Sequence, residues 1–357
     1  MEEVAALTDP AVITKFTAAA DIVNRALEKV VAACVESASI YDICVLGDQY
    51  IVEELKKCYN KKNISKNIAM PTCISVNNVV CHFSPLKTEA PILLKNNDVV
   101  KIEMGAHIDG FPAMVAHTII VGNEVAAGRK ANVIAAAHNA LEVAIRTIRP
   151  GNSNVQVTHA VNDVVKEFKC NVVEGMLSHK IERNNLTSNK SILLCSNPSQ
   201  IKAHEEAKFE EHEIYNVDVL VTTGDGKVKT ASDFKTNIFR KSNQNYMLKI
   251  KASRALYSQV SKEFGTMAFS LRSFDDEKIA RLGLTECLKT NVLLPYEVLV
   301  DKENEIVAQF ATTILLMPSG TIKLTHGPSL ANIKPDVSLS EKYQKIVEAP
   351  LRPKKSK

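Results

Sequence analysis

Near the start of the chain, Val12, Phe16, Val23, Leu27, Val30 and Cys34 recur at a spacing that puts them on one face of a helix. Asp9 is placed to cap that helix and Pro10 fits its first turn. The spacing predicts a second helix from near Asp48, with Ile51, Leu55 and Cys58 on one side. Its end is strongly basic: Lys56, Lys57, Lys61, Lys62 and Lys66. From about residue 69 the pattern changes to short strands. Ile74–Val76, Val99–Ile102 and His117–Val121 alternate or run apolar, with turns marked by Asn96-Asn97-Asp98 and Asp109-Gly110. A long helix is predicted over Arg129–Ile148, carrying Val133, Ala137, Leu141, Ala144 and Ile148 on one face until Pro150-Gly151 stops it.

The order then repeats. A helix over Val157–Phe168 precedes strands near 172–176, 214–223 and 306–316. Helices followed by strands, twice over, predict an α+β domain with two related halves. The stretch 225–300 has its own character and is read as an inserted α/β subdomain, with helices near Ser253–Phe264 and Asp276–Leu288. It carries Lys227, Lys229, Lys235, Arg240, Lys241, Lys249, Lys251 and Arg254. The last stretch, 331–357, ends in a basic run with Lys354, Lys355 and Lys357 and is expected to be disordered.

Composition narrows the class. With 45% hydrophobic and 24% charged residues over 357 positions, the chain has ample material for a core. A net charge of +4 is mild, so any basic surface must come from local clustering. No apolar stretch approaches the ~18 residues that span a bilayer, so membrane insertion is not expected. The acidic Met1-Glu2-Glu3 start does not look like a secretory leader. Eight cysteines include no C-x-x-C pair, which argues against a zinc finger or a thioredoxin-like motif.

Several runs carry a resemblance: VVCHFSPL at 79–86, VVKIEMGAHIDGFPAMVAHTII at 99–120, EGMLSHKI at 174–181, EIYNVDVLVTTG at 213–224 and IVAQFATTILLMPSG at 306–320. In this order they resemble type 2 methionine aminopeptidases of peptidase family M24. They resemble still more closely a non-peptidase branch, the proliferation-associated, growth-factor-receptor-binding proteins. The resemblance implies a pita-bread fold over residues 8–330: a curved antiparallel sheet with covering helices and pseudo-two-fold symmetry. It also implies a monomer.

The family's enzymes hold two metal ions with two Asp, one His and two Glu. By resemblance, those positions fall on Glu103, Met114, His179, Asp218 and Ala311, and a substrate-contacting histidine falls on His82. Both bridging carboxylates are thereby replaced, by a thioether and by a methyl group. Two cations without bridging anions repel each other with little to offset it, and no shared hydroxide is activated. The expectation is therefore a pseudoenzyme with no catalytic residue, no metal and no cofactor. His107 and Asp109 lie nearby, but Asp109-Gly110 is better read as a turn.

A lone lysine run is usually a solvated helix face. Three separate clusters, at 56–66, 227–254 and the tail, raise the alternative of contact with nucleic-acid phosphates. Phe234, Phe239 and Tyr246 interleave with the second cluster. The resemblance implies binding of ribosomal and structured RNA on the large ribosomal subunit, with a place in cytoplasm and nucleus or nucleolus. Two alternatives stay open: an adaptor for signalling or transcriptional proteins, and a residual mononuclear metallo-aminopeptidase.

Overall fold

The computed structural model describes residues 9–60, 64–122 and 125–352. Helix α1 (Pro10–Ala33) is capped by Asp9, whose carboxylate accepts from the Ala11 N–H at 2.8 Å. It buries Val12, Phe16, Ala19, Val23, Leu27 and Val30. Helix α2 (Ile40–Lys56) begins eight residues before the position that the spacing suggested. Ser39 caps it, and Ile40, Ile43 and Cys44 extend its buried face. Gly47 lies on that same face. A Cβ there would stand 2.4 Å from Thr72 Oγ1 and 3.0 Å from Val30 Cγ2, so only glycine lets α2 rest on its neighbours. Lys56 and Lys57 sit at the helix's C-terminal end, where positive charge suits the dipole.

Among the described residues the chain then forms β1 (Lys66–Val76), β2 (Val79–Cys81), β3 (Val99–Ile108) and β4 (Phe111–Ile120). Next come α3 (Gly128–Thr147), α4 (Asn154–Glu167), β5 (Asn171–Val172), β6 (Met176–Ile181), β7 (Ser191–Leu194), α5 (Pro198–Ala203) and β8 (Ile214–Thr222). The insert supplies β9 (Lys229–Thr230), β10 (Ile238–Lys241), α6 (Lys251–Glu263), β11 (Ala268–Ser270), α7 (Glu277–Lys289), β12 (Leu293–Pro295) and β13 (Leu299–Val300). The chain closes with β14 (Val307–Met317), β15 (Gly320–Lys323) and α8 (Glu341–Glu348).

Strands order as β1-β3-β4-β14-β8-β6-β7 in one antiparallel sheet, with β15 on β14 and β5 on β8. Helices α1 and α2 cover β1, β3 and β4, while α3 packs on β8 and β14 and α4 on β7. Each half is thus a helix pair followed by strands. Alternation along the strands sends one set of side chains into these helix-covered cores: Val100, Ile102 and Met104 toward α1, and Val217, Val219 and Phe310 toward α3.

The two halves join where β4 meets β14. Only two residue pairs are in register there, Ala311 with Ala116 and Thr312 with Val115. Threonine hydroxyls extend the seam. Thr118 Oγ1 donates to Gln309 O at 2.7 Å and accepts from Gln309 N–H at 2.8 Å. Thr313 Oγ1 does the same for Met114, accepting from its N–H at 2.9 Å and donating to its carbonyl at 3.0 Å.

The insert has its own core of Phe239, Leu256, Val260, Phe269, Leu271 and Leu284 under a β11-β10-β12 sheet. Strands β9 and β13 add to β2 in a third sheet. Arg272 ties the insert down. Its guanidinium meets Asp48 of α2 at 2.5 Å and donates to Ser84 Oγ at 2.7 Å. Asp48 in turn accepts from the Thr72 N–H of β1 at 2.8 Å.

The stretch expected to be disordered from 331 is folded as far as residue 352. Tyr343 of α8 is buried and donates its hydroxyl to Asp163 at 2.8 Å, and Ser340 donates its N–H and hydroxyl to the Glu167 carboxylate. Arg146 donates to the Ala349 carbonyl at 2.9 Å. These anchors lie far back along the chain, so no local pattern announces them. Lys354, Lys355 and Lys357, like Lys61 and Lys62, lie outside the described residues.

Replacing Thr313 with valine should leave the Met114 N–H without its hydroxyl partner inside the seam, while the Met114 carbonyl keeps the Thr325 hydroxyl at 2.7 Å. Urea unfolding is expected to show a loss of about 1–3 kcal/mol.

Candidate functional site

Register carries the site. Glu103 of β3 stands opposite Ala116 of β4, Ala116 opposite Ala311 of β14, and Ala311 opposite Asp218 of β8. Residues directly opposite in antiparallel pairs share a face. The row Glu103–Ala116–Ala311–Asp218 therefore lies on the side of the sheet away from α1 and α3. Met114 sits two residues from Ala116 on the same face. His179 of β6 pairs with Asn216, two residues from Asp218. The fold thus brings Glu103, Met114, His179, Asp218 and Ala311 to one surface of the sheet. His82 follows β2 in a left-handed conformation (φ 63°), with Nδ1 3.0 Å from the Glu297 carbonyl oxygen and its ring edge-on to Tyr296.

On this face Glu103 and Ala311 are buried, and His82, Met114, His179 and Asp218 are half-buried. Burial pushes Glu103 up to about 7. Asp218 is also pushed up to about 7, first by burial and then by the neighbouring Glu103 carboxyl, against the Gln309 amide, which favours its charged form. Gln309 Nε2 donates to both Asp218 oxygens at 3.1 Å. Burial holds His82 and His179 below the ordinary imidazole value, so both are neutral at pH 7. Glu103 Oε2, His179 Nδ1 and Asn216 Oδ1 are buried with no hydrogen-bond partner among the described residues.

Those donors do not fit a bridged pair of metal ions. The positions that would bridge hold the neutral thioether of Met114 and the methyl of Ala311. One remaining carboxyl is already engaged by Gln309. No three His, Cys, Asp or Glu side chains among the described residues converge as a metal cage. Sequence reasoning missed Gln309. Its signal was its place two residues before Ala311, an amide on the same strand face.

His107 and Asp109 stand apart from this row. His107 is buried, and its Nδ1 accepts from the Gly110 N–H at 3.3 Å, while Asp109 holds Lys15 at 2.5 Å and Arg183 at 2.6 Å in the β3–β4 turn.

The basic residues fare unequally. Lys56 is exposed, but Lys57 pairs with Glu54, and Lys66 donates to Cys58 O and to Asn60 Oδ1. In the insert, Arg240 and Lys241 are half-buried on β10. Arg240 acts on His179 and Tyr296, and Lys241 Nζ lies 5.0 Å from the Tyr257 ring centre. Arg254 donates to the Leu248 and Lys249 carbonyls at 3.2 and 2.8 Å. Lys227, Lys229, Lys235, Lys249 and Lys251 are exposed, and among the described residues none of the five makes an ion pair. Phe239 is buried and Phe234 packs on Phe83, which leaves Tyr246 as the exposed member of the three interleaved aromatics.

A two-halved antiparallel sheet with helix pairs on one face and this carboxyl row on the other defines a protein of the pita-bread, methionine-aminopeptidase-like class. The chain belongs to metallopeptidase family M24, whose model matches residues 14–232. It is 46% identical to ERBB-3 binding protein 1 of Arabidopsis thaliana over 327 residues, covering 91% of this chain and 82% of that one. It is 43% identical over 356 residues to the curved DNA-binding protein of Schizosaccharomyces pombe, covering 98% and 93%. The solved structure of a thermophilic Arx1 superposes with a TM-score of 0.90 at 32% identity, covering 97% of this chain and all of that one.

A carboxyl whose pKa is raised by folding binds a proton that the unfolded chain releases. The contribution of Glu103 to stability is then fully present below about pH 4.5 and is lost as pH rises through about 7. The thermal midpoint of wild type should drop over that window, and that of Glu103→Gln should drop less, because an amide keeps its shape without a proton to lose. Identical slopes in scanning calorimetry would remove the raised carboxyl from the account.

Proposed function

We propose that this protein is a non-catalytic member of its family that binds nucleic acid, and through ribosomal RNA the large ribosomal subunit. The observation that carries this reading is the set of five exposed, unpaired lysines on the insert: Lys227, Lys229, Lys235, Lys249 and Lys251. Lys251 and Arg254 stand in the first turn of α6, whose start has no side-chain cap and no acidic residue. Positive charge at a helix's positive end costs stability. A phosphate would be favoured at the same place. The name of the S. pombe relative, a curved DNA-binding protein, supports nucleic-acid contact. Linking ribosome production or translation to growth control, as a monomer in cytoplasm and nucleolus, is the wider role that fits this chemistry.

A second reading rests on the name of the Arabidopsis relative, ERBB-3 binding protein 1. It is an adaptor for signalling or transcriptional proteins. Salt dependence separates the two, because phosphate contacts release counterions and apolar protein contacts do not.

Co-sedimentation with purified large ribosomal subunits across a salt series tests the first reading. Wild type should bind and weaken with salt. The variant with the five lysines changed to glutamine should lose roughly 3.5–4.5 from the log–log salt slope. Absence of binding at low salt would sink the proposal and favour protein partners.

The loss of catalysis has its own test. Titration calorimetry with Mn²⁺ should detect no two-site binding in wild type, and Met114→Asp combined with Ala311→Glu should increase affinity by restoring anionic bridges. Methionine release from a peptide by the wild-type protein would show that the old chemistry survives.

A further inference from the structure

The chain between β10 and α6 is held at both ends. Ser242 holds the N-terminal end: its backbone N–H donates to the Val292 carbonyl at 2.9 Å, and its hydroxyl oxygen accepts from the Gln244 N–H at 3.0 Å. At the other end Leu248 is buried in the insert core. The Glu286 carboxylate accepts from the Lys249 and Ile250 N–H groups at 2.8–3.0 Å, and Arg254 donates to the carbonyls of Leu248 and Lys249. Between these clamps, Asn243, Gln244, Asn245, Tyr246 and Met247 are all exposed. Tyr246 is 46% exposed and Met247 87%, and Ile250 just beyond is 46% exposed. Large apolar side chains held in water by a loop with fixed ends lower the entropy cost of binding something flat. Lysines 249 and 251 flank the tip with unpaired charge, and three side-chain amides precede the aromatic ring.

We propose that residues 243–247 form a stacking platform for unpaired nucleotides. Tyr246 and Met247 would take base faces, the amides of Asn243, Gln244 and Asn245 would meet base edges, and Lys249 and Lys251 would neutralise the adjoining phosphates. This deepens, and rests on, the nucleic-acid reading above. A paired duplex hides its base faces, whereas an unpaired strand offers them, and aromatic stacking tolerates any base. An acidic protein partner would also meet the lysines. The run of amides beside a planar ring is better matched to bases, which carry both donors and acceptors on their edges.

The test measures fluorescence anisotropy of the full chain with three probes: an oligouridine RNA, the corresponding oligothymidine DNA, and an RNA duplex. Tyr246→Ala should weaken binding to single strands roughly 5- to 150-fold. It should leave the salt slope and the duplex affinity unchanged. Tyr246→Phe should retain binding, and an unaltered thermal midpoint shows that both variants are folded. Loss with both sugars assigns stacking alone, and loss with RNA only assigns an RNA-specific contact. If Tyr246→Ala and Met247→Ala leave single-strand affinity intact while the five-lysine variant weakens it, the platform is overturned and nucleic-acid binding stands. If no probe binds at low salt, both fall. If Tyr246→Ala weakens binding to large subunits but to none of the probes, the tip is a protein contact and the proposal is overturned.

Discussion

The seam between β4 and β14 is the constraint on which the rest of the molecule depends. Two helix-covered half-sheets meet there across only two register pairs, and threonine hydroxyls supply the remaining main-chain bonds. A hydroxyl can donate and accept at once, so Thr118 and Thr313 each satisfy both polar groups of a facing residue. Were the seam to slip by one residue, every side chain of β14 would change faces. Phe310 would leave the α3 core and Gln309 would enter it.

The same seam holds the two positions where the family's enzymes carry bridging carboxylates. Met114 is bonded through its backbone to Thr313, and Ala311 lies opposite Asp218 on one side and Ala116 on the other. With a methyl group and a thioether at those places, the surviving acids have no bridging anion beside them. Their pKa values rise, Gln309 holds Asp218, and the histidines stay neutral. That pocket lacks the bridging anions that a two-metal hydrolase requires.

On the surface, charge has different meanings at different places. Lys56 and Lys57 finish α2 at its negative end, where they stabilise the helix, and Lys57 has a carboxylate beside it. Lys251 and Arg254 begin α6 at its positive end, where they do the opposite. Glu286 from α7 offsets part of that cost by accepting the last free N–H groups before the helix. A cluster that folding does not favour is the better place to look for a partner.

Much was legible in the sequence by itself. Helix α1 and its cap, α3, and the strand blocks around Glu103, Asp218 and Ala311 follow from periodicity, and the identities of residues 103, 114, 179, 218 and 311 state which ligand chemistry is present. What the sequence could not decide depends on distant partners. The first two turns of α2 were hidden because Gly47-Asp48 looks like a beginning until Thr72 and Val30 are seen against Gly47. Helix α8 folds because Asp163, Glu167 and Arg146 receive it. Lysines alike in sequence divide into paired, half-buried and free according to the neighbours the fold gives them, from Glu54 beside Lys57 to Tyr257 beside Lys241. Local patterns record which face a residue prefers, and only packing determines which group it meets there, because each contact's energy depends on both partners and on the water excluded between them.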